Sequence, residues 1–387
     1  MRNFIKLLFM LVVLSGCSDN KMDEDLIVIP VDMANACSDI SSFVEKVEII
    51  PLETNDSSQL KGYSKMLYDA NKEMYAIMDN RHYVYLFDKN GSFVSSSEKQ
   101  YGSGPEQYQI IVDMKFNHFN GLIELFSPYG MIYYYDMNFN YKGSKRLKDN
   151  DLIYSHFISY GCQQSLLAPS VQFNNTLCWA DFQKGERLKT IEYSGTLSSL
   201  SMNREVFYRI DNEYYFIPSG VDYMFYRISM DNQTLIPYMK LDFGKEEIKE
   251  DDLPGIPKMK YTKSEKKSRD LHSKMWNRIS FLQNSSYTIP IIKLFDKKYV
   301  YVYCLKEGKR SSYIYNMETK NACNITNETS LKMPFCFSIN DNVLYSIVES
   351  YEIERYINEN YMSEVTLNKI RNLNEEDNPV IIKYYLR

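Results

Sequence analysis

The feature that most constrains this chain is a rhythm of short strand-like runs gathered in fours. Residues 63–99, "YSKMLYDANKEMYAIMDNRHYVYLFDKNGSFVSSSEK", divide into four runs rich in Tyr, Ile, Val and Phe, broken by turn residues at 69–72, 79–81 and 89–91. Residues 109–148 repeat the pattern, with an Asn120-Gly121 turn and another at 128–130. A four-stranded meander that returns after about 45 residues is the repeat of a β-propeller blade. Less regular units follow at 151–192, 203–243, 279–326 and from 333 to the end. Six blades are therefore expected, and five or seven would follow if a weaker unit were divided or merged differently. The 34 Tyr and 20 Phe suit so much sheet, because aromatic rings pack well on pleated surfaces.

A propeller has to join its first and last blades, since an open ring exposes strand edges that template unwanted pairing. The N-terminal "VEKVEIIPLE" (44–53) and the C-terminal "VIIKYYLR" (380–387) are both strand-like, and both are available to one closing blade. Two segments break the β pattern. In residues 262–283, Thr262 and Glu265 have the spacing of a capping box, and Leu271, Met275, Trp276 and Ile279 fall on one helical face, as a cover helix would. Residues 352–374 also read as mostly helical. The expected fold is all-β: a six-bladed β-propeller with a helical insertion and a C-terminal helix before the closing strand.

The stretch "YGSGPEQY" (101–108) concentrates two glycines and a proline in a chain with only 15 Gly. It lies where the outer strand of the first blade hands over to the inner strand of the second. Gly102 and Gly104 can take positive φ, and Pro105 fixes its own φ and disfavours helix before it. Tyr108 is placed to anchor the crossing on the next blade. A glycine loop can also cradle an anion, but no strand–loop–helix context or following Lys makes this one a P-loop.

The chain opens "MRNFIKLLFMLVVLSGCSDN", a basic start, an apolar run too short for a membrane span, then small residues and Cys17. The expected organisation is a leader over 1–16, a lipidated Cys17 with a weakly patterned tether to residue 40, and the propeller over 41–387. The net charge of −5, with both signs interspersed, gives no basic footprint, so nucleic acid is not an expected partner. Six further cysteines show no C-x-x-C pair and read as small buried hydrophobes, although an exported location would permit a bridge such as Cys162 to Cys178.

"LSGC" resembles the lipobox of bacterial lipoproteins, and "DNRHYVYLFDKNGSFVSSSEKQYGSGPEQY" resembles an NHL-type repeat. "VEIIPLET", "YYFIPSGVDYMFYRI", "LDFGK" and "EEDNPVIIKYYLR" follow in the order seen in six-bladed β-propeller lipoproteins of Gram-negative anaerobes, a TolB-like class, over nearly all of the mature chain. The resemblance implies a lipid-anchored protein of the cell envelope, at the outer membrane. The Gly-Pro loop is clear only once, so an NHL-repeat function is not carried over.

Local catalytic motifs are missing from the sequence. His82, His118, His156 and His272 form no close ligand pair, no G-x-S-x-G elbow occurs, and the acidic runs lack calcium-loop spacing. No metal or cofactor is expected. Asp79, Arg81, His82 and Tyr83 make a polar-aromatic patch that could face a ligand, or an ordinary turn entering a strand. The expected role is binding of a glycan, peptide or protein without turnover. The alternative is a propeller enzyme, hydrolase- or lyase-like towards glycosides, whose carboxylates converge on the axis from separate blades.

Overall fold

The computed structural model describes residues 26–34, 36–148, 151–170, 175–193, 205–219, 221–255 and 265–387, with the backbone alone for 265–272. Six small sheets form the ring of a six-bladed β-propeller, as expected. Blade 1 holds Lys65–Asp69, Met74–Met78, Val84–Asp88 and Phe93–Ser96, from the inside outwards. Blades 2 to 5 begin with the inner strands Asp113–Phe116, Tyr154–Ser159, Phe207–Ile210 and Ile289–Phe295. The middle strands are largely buried rather than alternating; Met74–Met78, "MYAIM", is buried at every position. Each sheet is sandwiched between two neighbours, so both of its faces leave water. Apolar clusters accordingly sit between consecutive blades, with Tyr108, Tyr135 and Ile123 between blades 1 and 2, and Phe126, Phe157 and Leu167 between blades 2 and 3.

Closure has the expected mixed origin. In blade 6 the inner strands Ser338–Asn340 and Val343–Val348 are followed outwards by Val380–Leu386 and then by Val44–Pro51 from the other end of the chain, in register at Ile49 and Ile382.

The N-terminal boundary differs from expectation. Within the segment taken for a tether, Ile27–Pro30 adds a parallel strand outside Thr234–Asp242, the outer strand of blade 4. Ile29 and Ile40 are fully buried, and Cys37 is bridged to Cys323 in the outer strand of blade 5. Residues 27–34 and 36–40 thus strap blades 4 and 5. Cys162 and Cys178 are not bridged to each other: the first is exposed and free, the second buried and free. Cys17 and the leader lie outside the described residues, and so does Thr262.

The helix Glu265–Asn284 sits between blades 4 and 5, but its buried stripe is Met275, Arg278 and Leu282. Trp276, expected on that face, is 60% exposed. Arg278 takes its place because its charge is met: Nε donates to Pro254 O at 2.9 Å and Nη2 to Glu250 at 2.9 Å. The second helical segment is a 3₁₀ stretch Ser350–Tyr356, a turn Glu359–Tyr361 and the short helix Glu364–Arg371, capped by Ser363. Among the described residues no helix is long and apolar enough to cross a membrane.

The two faces of the ring are unequal. In an antiparallel meander, the starts of the inner and third strands and the ends of the second and outer strands share one end. At that end five connections are long, 52–64, 97–112, 243–288, 326–337 and 349–379, beside short ones such as 128–130 and 307–308. At the opposite end they are hairpins such as 70–73, 211–212 and 341–342.

Candidate functional site

Two polar constellations lie towards the loop-bearing end. The first is axial. Lys65 opens the inner strand of blade 1, Asp113 opens that of blade 2 with Lys115 two residues on, and Glu205 precedes that of blade 4. Lys65 pairs with Asp113 and lies 3.4 Å from Glu205, which also pairs with Lys115. Asp113 further accepts from Met114 N and Phe157 N at 2.8 and 2.9 Å, so blade 3 is tied in. Burial works against each charge, yet Lys115 and Lys65 hold the Glu205 carboxyl well below its usual range, and Asp113 and Glu205 hold Lys65 above its own. His156 sits among them, and burial pushes its imidazole down to about 4. Blade 5 contributes Lys293, fully buried, which donates to the carbonyls of Asp222 and Pro218 at 2.5 and 3.2 Å; burial lowers it to about 8.

The second constellation is a groove of about 1000 Å³ between blades 5 and 6, on the loop-bearing face. Its lining includes Tyr303, Phe335 and Tyr63; Tyr303 and Phe335 lie 5.9 Å apart between ring centroids, and the buried Phe337 behind them bridges Phe335 (5.0 Å) to Tyr63 (5.7 Å). Lys309, Arg310 and Lys332 stand exposed around it, and Met33, Ala34 and Ala36 of the strap line one side. Asn324 is 4% exposed; its Nδ2 donates to Met33 O at 2.8 Å, which fixes the amide and leaves Oδ1 buried without a donor.

The residues singled out from the sequence fall elsewhere. The Gly-Pro loop does connect the outer strand of blade 1 to the inner strand of blade 2. Neither Gly102 nor Gly104 takes positive φ, however. They are glycines because the Gln107 side chain folds under the loop: a Cβ on Gly102 would stand 2.3 Å from its Oε1, and one on Gly104 2.9 Å. That oxygen accepts from Gly104 N at 2.9 Å, and the Gln107 amide donates to Lys99 O at 3.1 Å. Pro105 borders a smaller hollow of about 360 Å³ with Tyr129 and Arg146. Tyr108 is buried between blades 1 and 2: its ring lies 6.2 and 6.4 Å from those of Tyr133 and Tyr135 of blade 2, while its hydroxyl donates to His82 O at 2.9 Å and lies 2.5 Å from Ser97 Oγ, so it anchors the crossing on both blades.

The Asp79 patch is a turn that holds itself. Asp79 is fully buried, and its carboxylate accepts from Arg81 N, Tyr83 N and Arg81 Nε at 2.8, 3.0 and 2.7 Å. Arg81 stacks over the Tyr83 ring at 4.6 Å, and His82 adopts φ 69° within the turn. His118 lies 3.8 Å from Asp69, and the His272 side chain is outside the description. The sequence reading did not find the axial cluster or the groove; the trace of the former is a charge within some of the inner strands, as in "SKMLYD", "DMKF" and "IPIIKLF".

Fold and site together define a six-bladed propeller with one elaborated face, ionic at its axis and grooved beside it. The chain belongs to the family described as a domain of unknown function, DUF4934, whose profile matches residues 26–385. It is similar in fold to a candidate exported protein of Bacteroides fragilis NCTC 9343, at 15% identity and a TM-score of 0.68, covering 94% of this chain and 99% of the other. A DUF4221 family member from Bacteroides vulgatus resembles it at 10% identity and a TM-score of 0.51, covering 89% and 97%. No curated protein matches the sequence.

Proposed function

We propose that this chain is an exported, lipid-anchored propeller of the cell envelope that holds a ligand or partner in the groove between blades 5 and 6, without chemical turnover. The observation that carries this is the concentration of long connections, half-buried aromatic rings and exposed bases on one face of an otherwise plain ring. Export is supported by the leader with Cys17, by the exported-protein candidate of the same fold, and by the Cys37–Cys323 bridge, which suits an oxidising compartment. The axial carboxylates and amines, the groups an enzyme would use, are committed to one another instead of to a cavity.

The test is a screen of envelope glycans and peptides by calorimetry, with product analysis by mass spectrometry, on the wild type and on a groove variant, Lys309→Glu/Lys332→Glu. Binding that the variant weakens, with substrate recovered intact, is the expected result. Turnover abolished by His156→Ala in a folded protein would establish the enzyme alternative instead.

A further inference from the structure

We propose that the groove takes an extended, acidic peptide segment of a partner protein, paired against a free strand edge in blade 5. This rests on the binding function proposed above and names its ligand. The third strand of blade 5, Lys309–Asn316, has eight residues, but the outer strand Ala322–Ile325 has four, and its last residue, Ile325, pairs with Ser312. Residues 309–311 therefore have no outer neighbour. The other blades are covered at this end: Met131 pairs with Arg146, Thr176 with Glu192, Met224 with Lys240 and Val380 with Pro51. In blade 1 the strand pairing stops at Tyr85, but Ser97 closes the gap by bonding both backbone groups of Val84. Among the described residues blade 5 alone leaves three residues open, and they line the groove.

The direction of the open groups follows from the hairpin. Lys306 and Lys309 close a two-residue turn, Glu307-Gly308, with φ of 50° and 73°. The closing pair of such a turn exchanges both of its hydrogen bonds, so Lys309 and Ser311 point their backbone groups at the second strand. Arg310 N–H and C=O then point outwards into the groove, where one residue of an extended chain can exchange both bonds with them. Asn324, whose buried Oδ1 has no donor, lies in the outer strand that stops short of this edge. Tyr303 and Phe335 offer apolar contact for an alternate side chain, while Lys309 and Lys332, which have no carboxylate partner among the described residues, together with Arg310 outnumber the exposed lining carboxylates Glu307 and Glu328 and so favour acidic neighbours. Edge lysines alone would guard a strand against pairing. A guard needs no aromatic floor, and a sugar chain has no need of a strand edge.

The full chain in detergent is panned against a bead-displayed library of random decapeptides, and enriched peptides are remeasured by fluorescence anisotropy. Enrichment in Asp and Glu is expected. N-methylation at alternate amides should weaken binding about tenfold in one phase and hardly in the other, as strand pairing requires, and Lys309→Glu/Lys332→Glu should weaken it by about tenfold. The proposal is overturned if no peptide is enriched, if the N-methylated peptides bind alike in both phases, or if the charge reversal leaves binding unchanged. Oligogalacturonate that binds in the groove while peptides fail would reject the peptide and leave the groove as a binding site. If neither probe nor any screened ligand depends on the groove, both proposals fall.

Discussion

The axis and the groove gather the same kinds of side chain and treat them in opposite ways. At the axis Lys65, Asp113, Lys115 and Glu205 come from three blades, leave water almost completely and neutralise one another. In the groove Lys309 and Lys332 remain exposed without carboxylate partners among the described residues, and a buried Asn324 oxygen lacks a donor. A charge taken out of water has to be paired, so axial ions hold blades in register; a charge left in water retains its capacity for a ligand. Ionisable clusters are thus a poor guide to function until their partners are counted.

The sharpest way to break this comparison is to remove Glu205. Glu205→Ala strands Lys65 and Lys115 with a single remaining carboxylate, and should cost about 3–5 kcal/mol. Urea unfolding should show a large fall in midpoint, partly restored in Glu205→Leu/Lys115→Met, which removes both charges. Lys332→Glu in the groove should shift stability by less than about 0.5 kcal/mol. Equal costs for the two single substitutions would mean that the axial charges are no more bound into the fold than those of the groove.

A second, smaller effect separates buried from open through pH. Glu124, in the second strand of blade 2, is buried, and burial raises its carboxyl to about 7 even though Asn117 and Ser159 donate to it at 2.7 and 2.6 Å. Its unfolded value is about 4.5. Between these values the folded protein keeps the proton and the unfolded chain loses it, so this contribution to stability falls as pH rises from about 4.5 to about 7. His156 acts in the opposite sense, since its folded value of about 4 makes stability rise until the unfolded imidazole titrates at 6.5. The stability of wild type minus that of Glu124→Gln isolates the carboxyl, and should decline across this window by an amount on the order of 3 kcal/mol. A flat difference would show that Glu124 is solvated in the folded state.

Much of the ring was legible in the sequence. Turns such as Asn120-Gly121 punctuate blades 1 and 2, and the two terminal strands announced a shared closing blade. The strap was not, because "IVIP" is a four-residue edge strand whose partner lies some 200 residues on, and Cys37 meets Cys323 across 286 residues. The axial site was hidden because the three blades that build it supply only one or two charges each, and each of these looks like a solvated strand residue. The groove arises from a shortfall in register: the chain turns away at Thr326, whose N–H bonds the Thr329 hydroxyl at 3.0 Å, before the outer strand of blade 5 reaches its neighbour's start. Pattern reveals which segments are strands, but not how far one strand covers the next.

The smallest predicted effect concerns the open face and the reason for its glycines. With φ outside the left-handed region at Gly102 and Gly104, backbone strain supplies no cost to a substitution there; the cost is steric and comes from one flexible side chain, Gln107. Gly102→Ala should displace that side chain, break its bonds to Gly104 N and Lys99 O, and destabilise by about 1 kcal/mol. Gln107→Ala removes the same bonds and also the obstruction. Gly102→Ala added to Gln107→Ala should therefore cost almost nothing further, a double-mutant cycle with a coupling near the whole single effect. Two additive costs would return the explanation to the backbone. A coupled pair would show that a face built for contact accommodates change by moving a side chain, where the axis has no such freedom because every displaced group there is a buried charge.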